Sequence, residues 1–104
     1  MRLPRVSVWI SGTGSNLAAI LECHSIVDVS LVVSSKTSAL GILKAKRAGV
    51  EVLVLDKKID WQSLHQIHLD KKIDLIYLAG FMKVVPSSFV ERWSGKMISV
   101  HPSL

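Results

Sequence analysis

Cysteine, acidic residues and long apolar runs are scarce in this sequence. The 104 residues include one cysteine, Cys23, so no internal disulfide can form and the reducing cytoplasm is the expected location. Cys23 falls in a helical apolar pattern, which predicts a small buried residue. No apolar run approaches the roughly 20 residues that cross a bilayer, and residues 1–4 lead directly into a strand instead of a signal peptide. We therefore expect neither secretion nor a membrane as partner.

The shortage of acidic residues makes the chain basic. It has 8 Asp and Glu against 13 Lys and Arg, which gives a formal net charge of +5. A basic balance favours anionic partners such as phosphates, acidic cofactors or nucleic acid. The charges are scattered, however, and basic runs such as Lys57-Lys58 and Lys71-Lys72 are only pairs. Because a nucleic-acid interface needs a basic block interleaved with aromatics, nucleic acid is not expected as a partner.

The sequence alternates short apolar runs with helical patterns. Apolar residues make up 49% of the chain, and near-continuous runs such as residues 31–33 and 75–78 are typical of strands buried on both faces. Strands are predicted at residues 5–10, 27–33, 50–55, 74–79 and 96–100, and helices at 16–23, at 36–48, from the N-cap Asp60 to about 72, and after Pro86. The order βαβαβαβαβ predicts an α/β fold with a parallel sheet and right-handed crossovers.

Glycines and polar residues collect where the predicted strands end, which is where parallel sheets bind ligands. Residues 12–16, Gly-Thr-Gly-Ser-Asn, follow the first strand and open the first helix; we call them the glycine loop. Glycines let a backbone approach a ligand closely, and N–H groups at a helix start attract anions. The loop is therefore either a phosphate site or a tight turn without a ligand, and its context favours phosphate.

Two rival phosphate motifs do not fit the glycine loop. A dinucleotide fingerprint needs a third glycine where Leu17 stands, and a carboxylate near the end of the second strand, where the sequence reads Val33-Ser-Ser-Lys36. A P-loop needs a Gly-Lys-Ser/Thr segment, which does not follow these glycines. A monophosphate is therefore the expected ligand.

Histidine is the other residue type that suggests chemistry. His101 follows the last predicted strand, where it could act as a general acid or electrophile near neutral pH; a structural or surface role is the alternative. His65 and His68 lie three residues apart on a predicted helix, but no third type of ligand clusters with them, so a metal site is not expected. These two residues and His24 are predicted to have structural or surface roles.

Three segments occur in order, each after a predicted strand: Ile10-Ser-Gly-Thr-Gly-Ser-Asn-Leu17, Leu78-Ala-Gly-Phe-Met-Lys83 and Val100-His-Pro-Ser-Leu104. Together they resemble the phosphoribosylglycinamide formyltransferases, and the similarity covers the whole chain. The resemblance implies a Rossmann-like formyltransferase fold, with residues 1–104 as its N-terminal half and the C-terminal half absent. It also implies an enzyme of purine biosynthesis and one-carbon metabolism, which transfers a formyl group from 10-formyltetrahydrofolate to the amine of glycinamide ribonucleotide without a metal.

The resemblance further implies roles for individual residues. The residues that hold the substrate would be Gly14, Ser15, Asn16, Leu17 and Ala18, with its phosphate at the loop and helix start. The residues that line the folate pocket would be Met82, Lys83, Val84 and Val85, with Lys57 nearby as a basic residue. His101 would be the catalytic histidine, and its imidazolium would stabilise the tetrahedral oxyanion of acyl transfer.

Two departures from the family pattern shape these expectations. The family places an asparagine two residues before the histidine, where this chain has Ser99, and losing one oxyanion donor costs ~100- to 1000-fold in rate. The family's second half also carries an aspartate that tunes the histidine, so these 104 residues alone are expected to have little or no activity. The last strand would then lie at the edge of the sheet and favour self-association.

Two alternative functions remain open. One is another folate-formyl enzyme, such as a formyltetrahydrofolate hydrolase or a methionyl-tRNA formyltransferase, although the Ser-Gly-Thr-Gly-Ser-Asn segment favours a sugar-phosphate substrate. The other is a non-catalytic module that binds a nucleotide phosphate, which Ser99 and the end of the chain at Leu104 support. Binding of glycinamide ribonucleotide without turnover would favour the module.

Overall fold

Strands and helices alternate along the chain as the sequence predicts. The computed structural model describes residues 2–55 and 58–100, and within them five strands alternate with four helices. The strands are β1 Arg5–Ile10, β2 Asp28–Ser34, β3 Val52–Val54, β4 Leu75–Ala79 and β5 Met97–Val100. The helices are α1 Ser15–Leu21, α2 Gly41–Arg47, α3 Trp61–Asp70 and α4 Ser87–Arg92. The predicted order βαβαβαβαβ is confirmed.

The described strands form one parallel sheet in the order β3-β2-β1-β4-β5. The chain runs from β1 at the centre to one edge through β2 and β3, and then returns to the other side of β1 with β4. This reversal makes the carboxyl ends of β1 and β4 a topological switch point, which is where open α/β sheets bind ligands. The predicted α/β class with a Rossmann-like parallel sheet is confirmed.

Helices cover both faces of the sheet, because the side chains of β1 alternate between two apolar cores. Val8 packs on one face with Leu17 of α1 and with buried side chains of α2. Trp9 packs on the opposite face with Leu64 of α3 and Phe89 of α4. Burying one large apolar side chain contributes about 1.5–3 kcal/mol, so these two clusters hold the helices against the sheet and fix where the strands end.

Helix α3 begins at the predicted place because Asp60 caps it. Asp60 accepts a hydrogen bond from the Ser63 backbone N–H at 3.1 Å and another from the Ser63 hydroxyl at 2.8 Å. These side-chain and backbone hydrogen bonds lower the pKa of the Asp60 carboxyl below its usual value. The carboxylate therefore satisfies a first-turn donor that the helix itself leaves without a partner. With 10 residues, α3 is the longest described helix, and none in the described part of the chain could cross a membrane.

A chain of buried polar groups joins α3 to β1. His68 is fully buried, with Nδ1 2.8 Å from the Leu64 carbonyl oxygen and Nε2 2.8 Å from Ser7 Oγ. The Trp9 indole N–H donates to the same Ser7 oxygen at 2.9 Å. Burial is the main cause that lowers the pKa of His68 to about 4. The ring is therefore neutral at pH 7, with Nδ1–H donating to Leu64 and Nε2 accepting from Ser7, and His68 has a structural place in the core.

Two sequence predictions are wrong in detail. Helix α2 begins at Gly41 instead of residue 36, because the Ser34 hydroxyl donates to the Lys36 carbonyl at 2.7 Å and accepts from the Lys36 N–H at 3.2 Å. Such local side-chain bonds favour a turn over a helix. Cys23, predicted to be buried, is exposed. Helix α1 ends at Leu21, and Cys23 lies in the turn that follows.

Candidate functional site

The glycine loop forms a tight turn from β1 into α1. Gly14 precedes the helix with a φ of 76°, a left-handed conformation that residues with a Cβ adopt only with strain. Its carbonyl accepts the first helical hydrogen bond, from the Ala18 N–H at 2.9 Å. Ser15 and Asn16 are exposed, whereas Leu17 is fully buried. Ser15 and Asn16 can therefore offer side chains to a ligand, while Leu17 can offer only its backbone.

Gly41, the first residue of α2, lies directly against the glycine loop. A Cβ at Gly41 would come within 3.1 Å of Gly14 Cα and 2.5 Å of Ile10 Cδ1. The Gly41 N–H also donates to the Gly12 carbonyl at 3.2 Å. Two backbones in contact thus hold the loop in place. Gly41 was not predicted as a site residue, although a glycine inside a predicted helix often indicates close packing.

The segment after β4, residues 80–85, is anchored at both of its ends; we call it the β4 loop. The Phe81 ring packs edge-on against Trp9, with 5.1 Å between ring centroids. Val85 is half-buried and packs against the same core cluster. The two anchors leave the middle of the loop to face outward at the carboxyl edge of the sheet.

The middle of the β4 loop presents apolar side chains to the outside. Met82 and Val84 are 77% and 89% exposed, and Lys83 between them is exposed as well. Exposed apolar side chains that are grouped together are candidates for ligand contact. Three of the four predicted folate-pocket residues are thus open to a ligand, whereas Val85 is half-buried against the core.

A buried pair of hydroxyls connects the ends of three strands. Ser11, directly after β1, is 4% exposed, and its Oγ accepts a hydrogen bond from the Met82 N–H at 2.8 Å. Ser35, directly after β2, has its Oγ 2.5 Å from that of Ser11, and its N–H donates to the Ile10 carbonyl at 3.0 Å. Neither serine was predicted from the sequence, because their contact depends on the order of the strands in the sheet.

Strand β5 brings Ser99 beside the end of β4. In the register of the two strands, Ser99 pairs with Leu78 and Val100 pairs with Ala79. Ser99 is exposed and lies at the same edge of the sheet as the β4 loop. The other predicted catalytic residue, His101, and the predicted folate contact Lys57 lie outside the described residues.

A metal centre and a cavity elsewhere in the described part of the chain were considered as alternative sites. Among the described residues, no three side chains of His, Cys, Asp or Glu are grouped as a metal centre requires. A cavity of about 550 Å³ opens at the opposite, amino edge of the sheet, between Leu21 and Val29. Its two arginines already donate to carboxylates, Arg5 to Asp28 at 3.2 Å and Arg2 to Asp74 at 3.0 Å. The cavity contains none of the predicted site residues, so the carboxyl edge remains the candidate site.

Sequence comparison relates the chain to enzymes of formyl transfer. Residues 4–104 match the formyl transferase family. The trifunctional purine biosynthetic protein adenosine-3 of Homo sapiens is 40% identical over 110 residues, which cover 96% of this chain and 11% of that protein. The phosphoribosylglycinamide formyltransferase of Haemophilus influenzae is 34% identical over 115 residues, which cover 98% of this chain and 53% of that protein.

Solved structures share the fold. The phosphoribosylglycinamide formyltransferase from Anaplasma phagocytophilum is 39% identical with a TM-score of 0.91, over 99% of this chain and 52% of that chain. A formyltetrahydrofolate deformylase from Pseudomonas putida is 25% identical with a TM-score of 0.84, over 99% of this chain and 40% of that chain. The chain thus spans about half the length of the formyltransferases it matches. Since the family match extends over nearly all of its residues, the chain belongs to the formyl transferase family.

Proposed function

We propose that this chain forms the N-terminal part of a phosphoribosylglycinamide formyltransferase domain. The whole enzyme would transfer a formyl group from 10-formyltetrahydrofolate to the amine of glycinamide ribonucleotide in purine biosynthesis. Relatives named phosphoribosylglycinamide formyltransferase support the proposal, as does one named for purine biosynthesis. The single cysteine supports a location in the reducing cytoplasm.

The proposal rests mainly on one observation: two chemically different loops meet at the carboxyl end of β1. The glycine loop presents Ser15 and Asn16, which suit a phosphate, and the β4 loop presents Met82 and Val84, which suit the flat ring of a folate. The Met82 N–H lies 2.8 Å from the Ser11 hydroxyl oxygen, so the loops are neighbours. Acyl donor and acceptor must come within about 3–3.5 Å to react, and adjacent loops would hold the two compounds at the same end of the sheet.

The glycine loop is the proposed site of the substrate phosphate. The first N–H groups of a helix have no intrahelical partners, and here they follow Gly14, whose lack of a Cβ lets an anion come close. The Ser15 hydroxyl and Asn16 amide add side-chain donors, and Leu17 anchors the turn in the core. The formal net charge of +5 favours the approach of an anionic ligand.

The β4 loop is the proposed folate site. Met82 and Val84 offer apolar surface to the ring system, and Val85, which packs against the core cluster, would close the pocket from the core side. Lys83 offers an exposed ammonium to the carboxylates of the glutamate tail, where a point charge suffices because the tail is solvated. Lys57 would add a second cation to the same anionic cosubstrate.

The proposed chemistry is direct acyl transfer. The amine nitrogen of glycinamide ribonucleotide attacks the formyl carbon and forms a tetrahedral intermediate with an oxyanion. The bond from that carbon to N10 of the folate then breaks, and N10 takes up the proton that the amine loses. His101, as imidazolium, would stabilise the oxyanion, and the hydroxyl of Ser99 would be a second donor.

Separate titrations test the proposal independently of turnover. We expect glycinamide ribonucleotide and 10-formyltetrahydrofolate each to bind the protein in calorimetry, with one site apiece. Binding of glycinamide ribonucleotide alone would support a phosphate-binding module instead. Failure to bind either compound would contradict the proposal.

The likeness to a formyltetrahydrofolate deformylase favours one alternative activity. A deformylase would release formate from 10-formyltetrahydrofolate with water as acceptor and would not need glycinamide ribonucleotide. Formate measured with and without glycinamide ribonucleotide separates the two activities. In the whole enzyme that contains this chain, the proposed transferase requires that formate release stay at background while the formylated ribonucleotide accumulates.

A further inference from the structure

We propose that Ser11 is a positioning residue that sets the distance between the glycine loop and the β4 loop. The inference rests on the proposed function, because it assigns these loops to the phosphate-bearing substrate and to the folate. Ser11 would touch neither compound. It would act through the backbone of Met82, whose side chain belongs to the proposed folate pocket.

The place of Ser11 in the sheet explains why it can connect the two loops. Strand β1 lies between β2 and β4, so a residue at its carboxyl end is close to the ends of both neighbours. The Ser11 Oγ accepts from the Met82 N–H at 2.8 Å on one side and lies 2.5 Å from Ser35 Oγ on the other. Ser11 is buried, with only 4% of the residue exposed, so water does not readily replace these hydrogen bonds.

The two loops differ in what else holds them. The glycine loop has its own anchors, because the Gly41 N–H donates to the Gly12 carbonyl at 3.2 Å and Leu17 is fully buried. The β4 loop is held at its ends by the apolar packing of Phe81 and Val85, which is not directional. A hydrogen bond to Met82 fixes the direction of the backbone between those ends. Loss of the Ser11 hydroxyl should therefore loosen the β4 loop and spare the glycine loop.

A matched pair of variants tests the anchoring without any ligand. Ser11→Ala and Ser35→Ala each remove one buried hydroxyl from the same pair, but only Ser11→Ala removes the acceptor of the Met82 N–H. In amide hydrogen exchange we expect Met82 to exchange about tenfold faster in Ser11→Ala and close to the wild-type rate in Ser35→Ala. The Ala18 amide, inside α1, should keep its rate in both. Equal acceleration of Met82 in the two variants, or none, would overturn the proposal.

Ligand affinities test the coupling to the two substrates. We expect Ser11→Ala to weaken binding of 10-formyltetrahydrofolate about tenfold and to change binding of glycinamide ribonucleotide less than about twofold. Ser11→Thr, which keeps the hydroxyl, should restore folate binding. An equal loss of both affinities would mean a general structural role and would count against positioning. If the wild-type protein binds neither compound, the proposed function fails and the coupling to substrates falls with it, while the Met82 exchange rate still decides whether Ser11 holds the loop.

Discussion

At the scale of single residues, the glycine loop depends on the close approach of Gly14 and Gly41, which leaves little room for a side chain at Gly41. A Cβ at Gly41 would press on Gly14 Cα at 3.1 Å, and that neighbour is backbone. We predict that Gly41→Ala lowers the free energy of unfolding by about 1–3 kcal/mol, the range for overpacked sites. Gly12→Ala is the matched control, since a Cβ there meets nothing within 4 Å. Urea unfolding of both variants measures the difference, and equal stabilities would contradict the prediction.

The two proposed binding surfaces should respond separately to single substitutions. Asn16→Ala removes an exposed amide from the glycine loop, and Val84→Asp places a charge on the apolar β4 loop. We expect Asn16→Ala to weaken the binding of glycinamide ribonucleotide about tenfold and to leave folate binding unchanged. We expect Val84→Asp to weaken folate binding and to leave the binding of glycinamide ribonucleotide unchanged. Each variant serves as the control for the other in calorimetric titrations. A variant that weakens both ligands equally would argue against two separate surfaces.

At the scale of helices and strands, α3 shows how a local signal sets an element. The Asp60 carboxylate accepts two hydrogen bonds from Ser63 and precedes the first turn. We predict that Asp60→Ala lowers the thermal midpoint of unfolding, whereas Asp60→Asn, which keeps an acceptor oxygen, retains most of it. The effect of Asp60→Ala should shrink as the pH falls through the lowered pKa of this carboxyl, because protonation removes the charge and leaves a neutral acceptor oxygen in the wild-type protein. A midpoint that stays the same at pH 7 would exclude a role for the cap.

Elements with strong local signals were predicted correctly from the sequence, whereas the errors arise from one local turn that periodicity does not reveal and from contacts between distant residues. The start of α3 follows from Asp60, a residue type that N-caps favour, and the tight turn before α1 follows from its glycines. The start of α2 depends on the side chain of Ser34, which makes hydrogen bonds to the Lys36 backbone, so the helix begins later in the chain. In the site, Ser11 acquires a partner only once β1 lies between β2 and β4. Strand order is a property of the assembled sheet, so periodicity and turn residues could not predict it.

At the scale of the whole molecule, the buried His68 makes stability depend on pH. Its pKa is lowered from 6.5 to about 4, mainly by burial, so the unfolded chain binds more protons between these values. The free energy of unfolding therefore has its full value above about pH 6.5 and falls by about 3 kcal/mol as the pH drops to 4. Urea unfolding from pH 7 to 4 measures this slope. His68→Gln should flatten the slope and His24→Gln, at an exposed position, should not; an unchanged slope in His68→Gln would contradict the assignment.

In the part of the chain that the structure describes, β5 forms an edge of the sheet, and we predict that this edge favours association. Strand β5 is the last strand in the order of the described sheet, and Ile98 on it is 46% exposed. Edge strands with exposed apolar side chains favour pairing with another chain, so we expect a concentration-dependent increase in sedimentation coefficient. Ile98→Lys should reduce it, while Leu43→Lys, at a position 53% exposed on α2, should not. A wild-type monomer at all concentrations would refute the prediction.

The central place of β1 also has a consequence for the order in which the protein is synthesised. Strand β2 leaves the ribosome soon after β1, so Arg5 can pair early with Asp28, whereas Val6 must wait for Leu75. Trp9, which is fully buried in the finished fold, contacts four rings that all come later in the chain: Trp61, His68, Phe81 and Phe89. The nascent chain therefore carries an incompletely covered tryptophan until Phe81 and Phe89 have emerged. During that interval the growing protein is most exposed to aggregation and most dependent on chaperones.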